Sequence, residues 1–257
     1  MSSELVATQI ADGVMRIRLN RADKKNALLQ AMYVDLAQAF AEADRNPAVR
    51  AVLLHGTDGV FCAGNDIVDF LKSPRFDKDA PVLRFMHGMA ACAKPIVVAV
   101  AGPAIGVGAT LLAHADLAYA APSARFQFPF VNIGICPEFA STYLLPRAIG
   151  HVQAAELLLL GEPFTAERAL DARLINAVIP EAELEAHALK QAQKLAAQPP
   201  ASMRTSKALL KRWRKDFLDE VIDIEANHFG PMLNEPEAKE AMSAFVEKRK
   251  PDFSRFQ

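Results

Sequence analysis

From Pro95 to Ala113 the chain carries no charged side chain, a run about as long as a membrane span. Pro95, Gly102, Pro103, Gly106 and Gly108 punctuate it too often for a spanning helix. It reads instead as a buried strand, Ile96 to Val100, then a glycine-rich turn, then a helix from about Gly106. A strand feeding a helix through a tight turn is the unit from which α/β sheets are built.

The rest of the chain agrees with that unit. The opening VATQIADGVMRIRLN alternates apolar and polar residues around Asp12-Gly13, a hairpin signal. Asn26 is placed to cap a helix from about Leu28 to Asp44, with Leu29, Met32, Leu36 and Phe40 on its apolar face. A buried strand, Ala51 to Leu54, leads into the loop HGTDGVFCAGND, and helical patterns cover parts of 66–92. Another strand is expected near Leu117 to Ala120, and after about residue 138 the pattern is helical nearly to the end, with breaks at Pro199-Pro200 and Pro236. Strands and helices alternate first and helices follow, which predicts an α/β core with a helical C-terminal part.

Composition excludes several function classes. At a net charge of −1 there is no general attraction to nucleic acid or an anionic membrane. Three cysteines, Cys62, Cys92 and Cys136, have no metal-ligand spacing, and the expectation is a reduced, cytoplasmic protein. MSSELVATQI has no basic region before an apolar core, so no signal peptide is expected. The six histidines show no metal spacing, and His114, in an apolar helix, reads as a core residue. GxSxG, P-loop and CxxC motifs are absent. The basic positions Arg204, Lys207, Lys211 and Lys215 share one helical face, read as solvated or as a phosphate contact.

Chemistry is suggested at three places. Ala63-Gly64-Asn65 and Gly106-Val107-Gly108 are two loops of small residues that follow buried strands. Each is either a plain packing turn or a presenter of a backbone N–H, and together they would offer two donors to one oxygen. The glycine turn resembles a dinucleotide fingerprint only weakly, and no acidic ribose partner follows ~20 residues on. The third place is Glu138, the one charge in FQFPFVNIGICPEFASTYLLP, Phe126 to Pro146. Dry surroundings would raise its pKa and make it a base. A place in the first turn of a helix running on through Phe139-Ala140-Ser141-Thr142 would lower it.

Taken together and in order, NRADKKNAL, FCAGNDIVDF, KPIVVAVAGPAIGVGATLLAHADLAYA and AMSAFVEKRKPDF resemble the enoyl-CoA hydratase/isomerase (crotonase) superfamily over essentially the whole chain. The resemblance implies an α/β, ClpP-like spiral of ββα units over 1–198 and a helical oligomerisation region over 199–257, in a homotrimer or homohexamer. It implies an acyl-CoA thioester substrate, with no metal and no separate cofactor. It places the two oxyanion N–H groups at Asn65 and Val107, and CoA contacts at Lys25, Ala27, Leu28, Ala63, Asp66 and Ile67. The extra acyl-CoA-binding module of some relatives is not expected.

The departures from the family pattern sharpen this. Hydratases of the family use two glutamates, and this chain has Thr110 and Phe130 at those positions. PFVNIGICPEFAST resembles the peroxisomal-type Δ3,Δ2-enoyl-CoA isomerases, whose single catalytic glutamate corresponds to Glu138. The implied reaction is a 1,3-proton shift that turns a 3-enoyl-CoA into 2-trans-enoyl-CoA. Hydration or another acyl-CoA reaction of the superfamily, and non-catalytic acyl-CoA binding, are the alternatives. Phe126, Phe128, Phe130 and Phe139 are read either as an acyl-pocket lining or as core.

Overall fold

The computed structural model describes residues 4–72 and 79–256, except the side chains of residues 70–72 and 213–216. The hairpin of β1 (Val6–Ala11) and β2 (Val14–Leu19) turns at Asp12-Gly13, where both residues take positive φ, the backbone of a tight hairpin turn. The chain continues through α1 (Gln30–Arg45), β3 (Ala51–His55), α2 (Ile67–Lys72), α3 (Pro81–Ala91), β4 (Ile96–Val100), β5 (Pro103–Ile105), α4 (Val107–Thr110), β6 (Leu117–Ala120) and β7 (Arg125–Gln127). It ends through α5 (Ser141–Ile149), α6 (His151–Ala155), β8 (Phe164–Thr165), α7 (Ala166–Asp171), β9 (Ala177–Val178), α8 (Glu181–Ala196), α9 (Pro200–Met232) and α10 (Pro236–Val246).

The main sheet runs β1-β2-β3-β4-β6-β9, parallel from β2 onward. Strand side chains alternate, so the central strands β3 and β4 each serve two cores. Val52, Leu54, Val98 and Val100 face the core shared with Met32, Leu36 and Phe40 of α1 and Phe85 and Met89 of α3. Ala51, Leu53, Val97 and Ala99 face α8, which meets them with Leu184, Ala188, Ala192 and Ala196. That every-fourth-residue row is nearly all alanine, so α8 can lie close to the sheet.

A second sheet, β5-β7-β8, was not foreseen. Its strands have two or three residues, too few to show a period of two. β8 and β9 likewise interrupt the helical run expected after residue 138. The charge-free run is strand, turn and helix as expected, though the turn includes β5 and the helix tightens into a 3₁₀ turn at Leu111–His114. No helix of the described residues is long and apolar enough to cross a membrane.

Two side-chain expectations need correction, and for a third, one of two open readings is found. Asn26 does not cap α1, whose cap position is Leu29. The buried Asn26 amide instead accepts from Arg21 N–H at 2.6 Å and donates to Val60 O at 2.7 Å, tying two loops together, and α1 receives its cap from Asp69, which accepts from Gln30 N–H at 2.8 Å. The basic stripe on α9 is not simply a solvated face. Lys207 is buried, donating to Lys94 O and to the Asp116 carboxylate, both at 2.6 Å, and Lys211 donates to His114 O at 3.2 Å. Carbonyls just before β4 and β6 accept from the two ammonium groups, while Lys215 lies outside the described side chains. Finally, Phe126, Phe128, Phe130 and Phe139 all belong to the main core, with Phe126 stacked on Phe164 and Phe139 edge-on to Phe85.

Candidate active site

The loop after β3 and the loop after β4 are joined by a parallel bridge between Cys62 and Ala104. Cys62 N–H donates to Pro103 O at 2.8 Å, and Ile105 N–H donates to Cys62 O at 3.0 Å. Asn65 and Val107 each lie three residues beyond that bridge, on chains running the same way. Glycine permits the approach. A Cβ on Gly64, at φ +89°, would lie 2.9 Å from Ile105 O, and one on Gly108 would lie 2.6 Å from Cys62 O. From the other side, Lys25–Leu28 pairs with the first loop: Ala63 N–H donates to Lys25 O, Leu28 N–H to Gly64 O and Asp66 N–H to Leu28 O, at 2.7 to 2.9 Å.

These pairings pass over two donors. Neither Asn65 N–H nor Val107 N–H has a hydrogen-bond partner among the described residues. The Asn65 side chain is already held, its amide oxygen accepting from Tyr33 OH at 2.5 Å. Gly108→Ala tests the closeness of the loops. Backbone must move to admit the methyl group, so a loss of about 1–3 kcal/mol is expected, read as a lowered melting temperature.

Glu138 stands outside any helix, which corrects the expected register. α5 starts only at Ser141, because Phe139 and Ala140 both take left-handed backbone, φ 61° and 54°. Such residues cost about 1–3 kcal/mol each unless their surroundings fix them. Here the fixing is specific. The Glu225 carboxylate of α9 accepts from Ala140 N–H at 2.6 Å and Thr142 N–H at 3.0 Å, and also from the Thr142 hydroxyl. His114 Nε2 is 2.7 Å from Phe139 O, and its ring stacks on that of Phe139 at 4.0 Å.

The turn aims the Glu138 carboxylate at α4. Its Oε1 accepts from Thr110 Oγ1 at 2.6 Å, while its Oε2 is buried with no hydrogen-bond partner among the described residues. Thr110 lies one helical turn from Val107, so the hydrogen-bond partner of Glu138 and one of the two unpartnered N–H groups share a single four-residue helix. At 4% exposure, burial is the main force on Glu138 and pushes its pKa up to about 8, opposed by the Thr110 hydrogen bond and assisted by the Glu225 charge. Tyr33 is held well above its ordinary value by burial and then by the charge of Glu138. Cys62 is pushed up to about 12 by burial, which keeps it a thiol and unfit as a nucleophile at neutral pH.

The residues expected from the sequence thus fall into one region. Asn65, Val107 and Glu138 are linked through α4 and the Cys62 bridge. Lys25, Ala27, Leu28, Ala63, Asp66 and Ile67 form the paired segments beside them. Of these, Leu28 is buried and offers its backbone, Lys25 is exposed, and the Asp66 carboxylate already receives Arg21 at 2.9 Å and Asp69 N–H at 3.1 Å, the latter as the cap of α2. Sequence reasoning missed Tyr33, Arg21 and Glu225. Only Glu225 carries a readable signal, an acid within the apolar spacing of Ile222, Ala226 and Phe229. No three His, Cys, Asp or Glu side chains among the described residues are grouped to hold a metal ion.

Comparison with known proteins agrees with this architecture. A family model described as enoyl-CoA hydratase/isomerase matches residues 9–255. The chain is 33% identical to 1,2-epoxyphenylacetyl-CoA isomerase of Escherichia coli (strain K12), over 98% of each protein. It is 35% identical to enoyl-CoA delta isomerase 2 of Rattus norvegicus, over 92% of this chain and 62% of that one. The crystal structure of an enoyl-CoA hydratase/isomerase from Pseudoalteromonas atlantica T6c superposes with a TM-score of 0.93 at 38% identity, covering 97% of this chain and 99% of that one. The crotonase fold expected from the resemblance is therefore the fold found, and the chain belongs to the enoyl-CoA hydratase/isomerase family.

Proposed function

We propose that the protein isomerises 3-enoyl-CoA thioesters to 2-trans-enoyl-CoA, with Glu138 carrying the proton. The observation that supports this most directly is one buried carboxylate with a single unpartnered oxygen, Glu138 Oε2, tied through Thr110 to the helix that begins at Val107. The thioester oxygen lies between Asn65 N–H and Val107 N–H. Glu138 takes a proton from C2, the C2–H electron pair becomes a C1–C2 double bond, and negative charge moves onto the thioester oxygen, giving a dienolate. The protonated Glu138 then gives the proton to C4, the C3–C4 pair forming the new C–H bond, as the carbonyl re-forms and the C1–C2 pair shifts to C2–C3. Each backbone donor is worth about 3 kcal/mol of barrier in such a site.

The substitutions elsewhere in the site support isomerisation over hydration. Thr110 and Phe130 stand where two-glutamate hydration would need carboxylates, and Thr110 spends its hydroxyl on Glu138. Lys25, Ala27, Leu28, Ala63, Asp66 and Ile67 are proposed as the CoA-contacting segments, since they border the donor loop. The region 199–257 is proposed as the oligomerisation region of a homotrimer or homohexamer. Leu210, Phe217, Phe245 and Val246 on α9 and α10 are more than half exposed, which supports that role.

A product assay on 3-enoyl-CoA and 2-enoyl-CoA in parallel tests the reaction. Conjugated 2-trans-enoyl-CoA should form from the first, and no 3-hydroxyacyl-CoA from the second. Hydroxyacyl product as the main outcome would replace isomerisation with hydration. Tight binding with no product from either would leave a binding protein.

A further inference from the structure

Glu225 is a second buried carboxylate, 5% exposed, reaching the candidate site from α9. Capping the start of α5 does not by itself require a charge there, since Ser, Asn or Thr oxygens cap as well. A carboxylate in a dry site beside another carboxylate is a costly choice of cap. It grips the residues just after Glu138: Ala140 N–H at 2.6 Å and Thr142 N–H at 3.0 Å, across two consecutive left-handed residues that neither Phe nor Ala favours.

We propose that Glu225 is a positioning residue for Glu138, holding the left-handed turn that carries it and facing it with a second negative charge. This rests on the reading of Glu138 as the proton carrier. Burial also lifts Glu225 itself to about 7, with its three hydrogen bonds from Thr142 and Ala140 acting in the opposite direction. The other groups facing the pair are neutral or engaged. Cys62 and Cys136 are held as thiols by burial, at about 12 and about 11, and Tyr33 is held as a phenol. His114 bonds Phe139 O, and Lys211 bonds His114 O. On α9 itself, Asp219 and Asp223 turn to His87 of α3, each at 3.0 Å, and His228 is exposed.

The test compares Glu225→Gln, which removes the charge, with Glu225→Asp, which keeps it and withdraws the oxygens. Titration of Glu138 is followed by its carboxyl infrared band, assigned by its absence in Glu138→Gln, alongside kcat and KM for 3-enoyl-CoA across pH. In Glu225→Gln the Glu138 band should titrate about one pH unit lower, and kcat should fall about tenfold or more with KM within about twofold, because an acyl-CoA site is kept while its base is misplaced. Glu225→Asp should leave the titration near that of wild type with a reduced kcat. An unshifted band in folded Glu225→Gln overturns the proposal. If that variant does not fold, wild-type kcat in Glu225→Asp overturns it. The band reports on Glu225 whether or not the chain turns over 3-enoyl-CoA, so failure of the isomerase reading leaves a distinct signature: a shifted band with no product even in wild type.

Discussion

Glu138→Gln is expected to lose isomerisation of 3-enoyl-CoA by about 10²–10⁴-fold, with acyl-CoA affinity nearly unchanged. Gln is close in size and still accepts from the Thr110 hydroxyl, so the site should keep its shape. It cannot take or return a proton at neutral pH. The proposed oxyanion donors are backbone N–H groups of Asn65 and Val107, which the substitution does not touch. Formation of conjugated product gives kcat, and calorimetric titration with a saturated acyl-CoA gives affinity. Turnover near the wild-type rate would remove Glu138 from the mechanism. Because the base must be ionised to accept the C2 proton, kcat/KM of wild type should rise with pH up to about 8 and level off above it.

The same residue should leave a large mark on stability. In the unfolded chain Glu138 ionises near its ordinary 4.5, whereas in the fold burial delays ionisation to about 8. Below the unfolded value both states are protonated and nothing is lost. Between the two values the unfolded state gives up a proton that the folded state keeps, and stability falls by about 1.4 kcal/mol for each pH unit. Above about 8 the loss is complete, on the order of 5 kcal/mol for this fully buried group. Glu138→Gln has no such term. Its advantage over wild type, from denaturant unfolding at pH 5 and at pH 8.5, should therefore grow by several kcal/mol. Glu225 is lifted in the same sense, to about 7, and is common to both proteins, so most of its contribution drops out of the difference. Parallel stability curves would mean that Glu138 is ionised in the folded protein throughout this range.

How much of this was legible in the sequence depended on the range of the interaction. Val97 and Ala99 on one face and Val98 and Val100 on the other made β4 readable as a buried strand, since four residues already show the pattern. Glu138 was readable because the composition around it is so uniformly apolar that one acid stands out. Its backbone was not, because Phe139 and Ala140 are ordinary helix-compatible residues, and the contacts that accompany their left-handed geometry come from distant residues, Glu225 at Ala140 and His114 at Phe139. The loops at Ala63-Gly64-Asn65 and Gly106-Val107-Gly108 were suggestive separately. Their pairing depended on the Cys62–Ala104 bridge, which involves a strand of only three residues. The family resemblance supplied that pairing in advance, by placing the two donors at Asn65 and Val107, and it pointed to isomerisation through what Thr110 and Phe130 are not.

The short helix α4 holds one proposed donor, Val107, by its main chain and the partner of the base, Thr110, by its side chain. A rigid displacement of α4 therefore carries both along, and the distance from the Val107 N–H to the partner of Glu138 is conserved. Chemistry and grip are also separable on this one turn. Replacing the side chain at Thr110 rewrites which acid–base groups surround the substrate, while the main-chain cradle at Val107 stays as it is. Under the proposed function such a helix would work as a socket: the thioester would seat in the same place, and the reaction would depend on what is plugged in one turn further on.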